Sequence, residues 1–299
     1  MVIQPTSPRG GALPRHCSPD TVLFDSGSVS IGQFRCGIGH PEFRDTGPIR
    51  RAVVVFPRTS VWIRHEGGRA FVADPSVVTI YNRGQRYERF AISPAGDACD
   101  WFALSDDLAL DVMGRTAPFA SMSAEKPFDL PRAANSAALY ARQRMLQHRA
   151  RLGTLTLAEA EEETIGIVTE VLAGTRGRRV RFTESARRRR DLAEAARAEL
   201  VRSALVNVPV TDLAKTLGTS PSHLCRVFRQ HTGSTLHAYR VQLRLRLAIE
   251  ELDSGGVANL SSIAHDVGFA SHAHFVHICR RELRVTPAAL RSQLRASQD

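Results

Sequence analysis

Between Thr21 and Leu104 the apolar residues come in short runs with turn-forming residues between them. Val29–Phe34, Ala52–Phe56, Ser60–Arg64, Ala70–Val72, Val77–Tyr81 and Tyr87–Ile92 are rich in Val, Ile, Phe and Tyr. Gly37–Gly39, Gly67–Gly68, Asp74–Pro75, Asn82–Gly84 and Pro94–Gly96 separate them. β-Branched and aromatic side chains fit a pleated, half-buried surface, and the small and polar residues suit turns. Many short strands at close spacing predict a β-sandwich or small barrel.

The period then changes. Arg132–Leu152 and Leu157–Ala173 are proline-free and rich in Ala, Leu, Arg and Glu, which predicts two helices, with Gly174 placed to end the second. Such a hairpin either covers the sheet or forms a dimer contact. From Asp191 onward the chain reads as helical, interrupted at Gly218, Gly233, Gly255–Gly256 and Gly268. Ala238–Leu252, with Leu243, Leu245, Leu247, Ile249 and Leu252, predicts one long, mostly covered helix. Residues 175–190 are the expected linker, and their Arg187–Arg190 run is equally a phosphate contact or a solvated helix start. The pattern as a whole is α+β. Residues 1–20 form a polar, proline-containing tail that is expected to be disordered, 21–174 a strand-rich domain with a helical hairpin, and 191–299 an all-α domain.

The all-α part contains a repeat. Val210–Arg240 and Leu260–Arg291 place Ala214 and Gly218, then Ala264 and Gly268, at equivalent positions 50 residues apart. Past the glycine the second copy carries one extra residue, so Leu224 and Phe228 correspond to Phe275 and Cys279. Two helices crossing steeply need a small residue where their backbones approach, and Ala214 and Ala264 supply it. The tight turn needs a residue that tolerates positive φ, which glycine does. Leu213, Leu217, Leu224, Val227 and Phe228 form an apolar lock in the first copy. Ile263, Val267, Phe269, Phe275 and Ile278 form its counterpart. Ser220 with Pro221, and Ser271, are suited to start the second helix of each pair. Each copy thus reads as a helix-turn-helix unit.

Charge points the same way. The chain carries a net +10, and from Ala186 to the end 17 Lys+Arg stand against 10 Asp+Glu, so +7 falls on the last 114 residues. A polyanionic partner fits that surplus, nucleic acid before an anionic membrane surface. At 299 residues and 43% hydrophobic content the chain is long enough for two domains with cores of their own.

Residues 191–294 resemble the DNA-binding domain of the AraC/XylS family of bacterial transcription regulators. The resemblance is carried by Leu213-Ala214, Leu217-Gly218-Thr219-Ser220, His223-Leu224-x-Arg226-x-Phe228, Gly233, Arg244-x-x-x-Ala248, Ile263-Ala264, Gly268-Phe269, Phe275 and Thr286-Pro287. More loosely, the strand-rich part is similar to the cupin-type sensing and dimerisation domain that many members place there. The resemblance implies a cytoplasmic regulator, commonly an activator, that binds promoter DNA and contacts RNA polymerase, with a small-molecule effector and a homodimer as further expected partners. The second unit departs from the pattern at Cys279, Arg284 and Leu290, where an aromatic, a glycine and a Tyr or Phe are usual. A left-handed Arg284 would cost up to about 1 kcal/mol, and Cys279 leaves a smaller core. The first unit is therefore expected to supply most of the sequence reading.

In such a unit the second helix enters the major groove by its N-terminal half. With Leu224, Val227 and Phe228 turned inward, Ser222, Cys225 and Arg226 face out as candidate base readers. Arg226 leads because its guanidinium pairs bidentately with a guanine edge; its bland alternative is a phosphate contact. In the second unit His272, Ala273, Val276 and His277 take the outward positions. Arg229, Arg240, Arg280, Arg281 and Arg291 are candidate phosphate contacts, each equally a solvated charge. A rigid connecting helix would hold the two reading helices about 34 Å apart, over successive major grooves.

The strand-rich part offers less chemistry. Only His40 and His65 occur in it and no H-x-H motif, which argues against a metal-dependent enzyme of the cupin type. His274 and His277 sit at i, i+3 with no further ligand on their face, so neither metal nor any other cofactor is expected. Cys36-x-x-x-His40 and Asp97-x-Cys99-Asp100 would form a thiol or metal sensor if their strands lie side by side; buried cysteines more often act as small apolar residues. Arg58, His65, Tyr81 and Tyr87 are candidates to line an effector pocket. The five cysteines are odd in number and unpaired in spacing, which suits a reducing cytoplasm. No run of about 18 apolar residues is present, so no membrane partner is expected. Three classes remain: a ligand- or stress-responsive regulator, a DNA-binding protein whose N-terminal part only dimerises, and a cupin-type enzyme with a helical appendage. Stoichiometric metal in the purified protein would revive the third.

Overall fold

The structure is a computed structural model, and it describes residues 18–116, 127–128, 130–174, 183–254 and 259–295. The described residues form nine strands, β1 (Asp20–Asp25), β2 (Val29–Cys36), β3 (Ala52–Pro57), β4 (Val61–His65), β5 (Phe71–Ala73), β6 (Val77–Tyr81), β7 (Tyr87–Ala91), β8 (Asp97–Leu104) and, after one helix, β9 (Arg132–Ala134). Six of them form an antiparallel sheet in the order β1-β2-β8-β3-β6-β9, and β5-β4-β7 form a second. Alternation along each strand sorts the side chains between two cores. Val29, Ile31, Val54, Phe56, Val78, Ile80, Phe102 and Leu104 face α1 (Asp106–Thr116), α2 (Ala137–Leu152) and α3 (Leu157–Ala173), against Val112, Leu146, Ile167 and Val171. Phe34, Val53, Tyr81, Cys99 and Ala103 point the other way, towards Val61, Ile63 and Phe71 of the small sheet. The result is three layers: helices, a six-stranded sheet and a three-stranded sheet. The helical hairpin covers the sheet.

The helical part follows as α4 (Glu184–Arg202), α5 (Val210–Thr216), α6 (Pro221–Thr232), α7 (Leu236–Asp253), α8 (Leu260–Asp266), α9 (His272–Leu283) and α10 (Pro287–Arg295). An N-terminal strand domain with helices followed by an all-α domain is the α+β arrangement expected from the sequence.

Several boundaries differ from the sequence pattern. Arg132–Ala134 was expected to open a helix, but it pairs with β6 as an edge strand. The helix starts five residues later, where the Ser136 hydroxyl accepts from the Leu139 N–H. The expected linker 175–190 runs into α4, which begins at Glu184 after its Thr183 cap. There Arg187–Arg189 are exposed, and Arg188 pairs with Glu184 one turn before it. The greater part of the expected tail, residues 1–17, and the Gly255–Gly256 break lie outside the described residues.

Candidate nucleic-acid interface

The first unit is built on α5 and α6. Leu213 and Ala214 meet Leu224 and Phe228, and the cluster is closed by Ala196 and Leu200 of α4 and Leu236, Tyr239 and Leu243 of α7. Phe228 packs edge-on against Tyr239, ring centroids 5.3 Å apart. Gly218 turns the chain at φ 61°, and Ser220 caps α6 by accepting from the His223 N–H. The second unit repeats this with Ile263, Ala264, Phe269, Phe275 and Cys279, covered by Val241, Leu245 and Ile249 of α7, Leu290 and Leu294 of α10, and Tyr140 of α2. Its core is therefore shared with the strand domain, whereas that of the first unit is closed by helices of its own domain.

Arg244 fixes one unit against the other. It is buried, donates from Nε to the Ala204 carbonyl at 2.7 Å and from Nη2 to the Asn207 side chain at 2.9 Å. A Cβ at Gly268 would lie 2.9 Å from its Nε, so the turn of the second unit must be glycine for Arg244 to reach the first. The sequence pattern registered Arg244 only as part of a resemblance and gave no hint of this bridging role.

Ser222, Cys225, Arg226 and Arg229 are exposed on α6, and Arg226 Nη2 lies 3.1 Å from His223 Nδ1. On α9, His272, Ala273, His277 and Arg280 are exposed and Val276 is half-buried. The five expected phosphate contacts divide. Arg229 and Arg280 are exposed. Arg240 is half-buried and donates to the Val208 carbonyl at 2.9 Å, Arg281 pairs with Glu282 at 2.7 Å, and Arg291 is half-buried with a partner of its own. His274 turns its ring edge-on to Phe269, and burial, with His237 and His277 nearby, lowers its pKa. Among the described residues no group of three or more His, Cys, Asp and Glu is placed to hold a metal.

Arg284 ends α9 in the left-handed region at φ 62°, and it is the one non-glycine residue there among those described. Glycine at this position should raise the unfolding free energy by roughly 1 kcal/mol or slightly more, read from the urea midpoint. An unchanged midpoint would mean that the arginine side chain repays the strain.

The all-α part is bolted to the strand domain by buried charge. Arg144 of α2 is fully buried between Asp100 of β8 and Asp253 of α7, to both of which it donates, with its Nε 3.2 Å from Glu250. Burial alone would lower its pKa, but Asp100, Glu250 and Asp253 together hold the guanidinium protonated. Tyr140 donates to Glu250 at 2.7 Å, and Arg58 also binds Glu250. A second cluster joins buried Asp74 to Tyr239 and Arg197. A third joins Glu194 to Arg132, to His231 at 3.0 Å and to the Val72 N–H at 2.8 Å. None of these partners could be paired from sequence, because each pair spans from about 40 to 190 residues.

Between the two sheets lies a cavity of about 580 Å³. Tyr81 and Tyr87 line it, with ring centroids 4.8 Å apart. His65 stands behind Tyr81 at 4.7 Å, its Nδ1 2.7 Å from Gln85, and burial lowers its pKa to about 4, so its ring is neutral at pH 7. Arg58 is on the opposite side of the sheet, with Glu250, and is no part of the wall. Cys36 and Cys99 do lie on neighbouring strands, with Cys36 opposite Asp97 and Phe34 opposite Cys99. Burial raises both thiols, Cys99 the more, which disfavours the reactive thiolate.

Two exposed helices, each preceded by a positive-φ glycine turn and joined through one helix, define a double helix-turn-helix domain. A family model described as a helix-turn-helix domain matches residues 213–293. The regulatory protein SoxS of Salmonella typhimurium is 39% identical over 82 residues, which is 27% of this chain and 76% of SoxS. The chain belongs to the AraC/XylS family. It is also 40% identical over 82 residues to the HTH-type transcriptional regulator GlxA of Rhizobium meliloti, and 32% identical over 88 residues to the urease operon transcriptional activator of Escherichia coli. The matched segments span only 25% and 29% of those two relatives. Among solved structures, ToxT of Vibrio cholerae O395 aligns over 89% of this chain and 97% of its own at 11% identity and a TM-score of 0.36. No described helix is long and apolar enough to cross a membrane.

Proposed function

We propose that the protein is an effector-responsive, sequence-specific regulator of transcription that sets α6 and α9 into successive major grooves at promoters. Residues 21–174 would take the effector and 191–299 the DNA, with activation through RNA polymerase in the cytoplasm, and a homodimer, as the expected mode of action. The base-reading set is Ser222, Cys225 and Arg226 in the first unit and His272, Ala273, Val276 and His277 in the second. Arg229 and Arg280 contact phosphate.

The observation that carries the effector half is the double use of β8. Asp97, Cys99, Trp101 and Ala103 line the cavity, and Asp100 between them faces Arg144. Arg144 in turn holds Asp253 and lies against Glu250 of α7, the helix that joins the two units. A shift of β8 on filling the cavity is thereby felt at the helix that sets the spacing of the reading heads, which is the differential contact that coupling requires. A dimerisation domain alone needs no such cavity.

The DNA half is tested with the full-length protein on random duplexes. Selection should recover a preferred site, and affinity should fall linearly on a log scale with salt through counterion release. Arg229→Ala should weaken binding to every duplex alike and lower the salt slope by about 1. Equal displacement by competitor DNA of any sequence would sink the sequence-specific reading.

A further inference from the structure

The polarity of the cavity restricts what can occupy it. Its walls are largely apolar: Phe34, Val53, Val55, Ile63, Tyr87 and Trp101. Trp101 lies across β2 at Gly32, where a Cβ would come within 2.1 Å of the indole, and its Nε1 donates to Asp20 at 2.7 Å. A volume near 580 Å³ falls within the roughly 300–1,000 Å³ of ordinary small-molecule sites.

One deeply buried cation, Arg89, also lines the cavity, and its charge is matched by Asp97. Nε lies 2.5 Å from Asp97, Nη1 donates to the Phe43 carbonyl at 2.7 Å, and Nη2 donates to the Tyr87 hydroxyl at 2.7 Å. The guanidinium plane also packs over the rings of Phe34, Phe43 and Tyr87. Arg89 and Asp97 are 2% and 5% exposed, so their charges cancel inside the protein and not through solvent. Arg50, Arg51, Asp20, Asp25 and Glu42 also line it, with Arg51 3.6 Å from Asp25. Four carboxylates, Asp20, Asp25, Glu42 and Asp97, thus stand against three guanidiniums, Arg50, Arg51 and Arg89, so the described lining has no net positive charge. A ligand carboxylate would enter as a buried anion without a partner, and burying an unpaired charge is costly. The Asp97 oxygen that does not face Arg89 remains an acceptor, which suits a neutral donor.

We propose that the cavity takes an uncharged, mainly aromatic or alicyclic molecule bearing one hydroxyl or amide donor for Asp97, and that it rejects organic acids of the same skeleton. The proposal rests on the effector-responsive reading and gives that site its ligand class.

The test uses the full-length protein and a panel of aromatic and alicyclic alcohols, each paired with the carboxylate of its own skeleton. 2-Naphthylmethanol and 2-naphthoate are the reference pair, measured by thermal shift and calorimetry at pH 7.5. The alcohols should bind at least tenfold more tightly than the matched acids. Asp97→Asn leaves Arg89 uncompensated, so it should reverse the order and gain affinity for 2-naphthoate. Should that variant fail to fold, Val55→Phe narrows the cavity and should abolish alcohol binding. Tighter binding of the acids by the native protein overturns the ligand class and leaves the effector reading standing. Alcohol binding that leaves DNA affinity unchanged supports the class and removes the effector reading. If no alcohol binds, or if binding survives Val55→Phe unaltered, the proposal for this cavity is wrong.

Discussion

Arg144→Met should cost the full-length protein about 3–5 kcal/mol, measured as a lower denaturant midpoint at neutral pH. The reason is less the loss of attraction than what is left behind. Asp100 is fully buried and Asp253 nearly so, both give up their common donor, and neither can be hydrated without parting α2, β8 and α7. The buried Asp100 Oδ1 already lacks a hydrogen-bond partner, so the site has little spare capacity to absorb the loss. The triple substitution Arg144→Met, Asp100→Asn, Asp253→Asn removes the stranded charges together and should recover most of the stability. Buried ion pairs are commonly no more stabilising than apolar replacements of the same volume. The triple variant should nonetheless lose any dependence of DNA affinity on the filling of the cavity, since the relay from β8 to α7 is gone. If Arg144→Met alone unfolds no more easily than the native chain, the cluster is hydrated and cannot act as a relay.

What the sequence disclosed follows from how local each signal is. Both turns were legible at Gly218 and Gly268 because positive φ is a property of one residue and its neighbours. The caps at Ser220 and Ser271 were legible for the same reason, as each accepts from an N–H three residues ahead. β8 was harder. Its sequence, DACDWFAL, places two carboxylates in a strand buried on both faces, and only the long-range partners Arg89 and Arg144 make them tolerable there. β9 was hidden because Arg132 and the two alanines after it suit a helix, and only pairing with β6 makes them a strand. Residues 106–116 carry a helix that the alternating strands before it gave no reason to expect. Of the proposed pocket residues, the two tyrosines line the cavity and His65 supports one of them, whereas Arg58 is turned away. Position 58 follows β3, and one residue of strand period decides the face.

Arg226→Ala should lower affinity for the preferred site by roughly 5- to 150-fold, the ~1–3 kcal/mol of a good bidentate pair, and relax selectivity at one base position. The argument starts from the helix. Leu224, Val227 and Phe228 are buried and spend the inward face of α6 on its core, which leaves Arg226 one turn from the capped N-terminus and fully outside it. Its Nη2 lies 3.1 Å from His223 Nδ1, and among the described residues no carboxylate forms an ion pair with it, so it reaches DNA without first breaking one. Arg281 of the second unit stands in contrast, since it must give up Glu282. The corresponding face of α9 presents His272, Ala273 and His277, whose shorter side chains offer at most one hydrogen bond each or a methyl contact. His277→Ala should therefore cost less than Arg226→Ala, and its loss should be spread more evenly over sequences. The check is to measure both variants on the selected site and on single-base mismatches. If Arg226→Ala loses the same factor on every duplex, the side chain binds phosphate and the first unit reads through Ser222 and Cys225 instead.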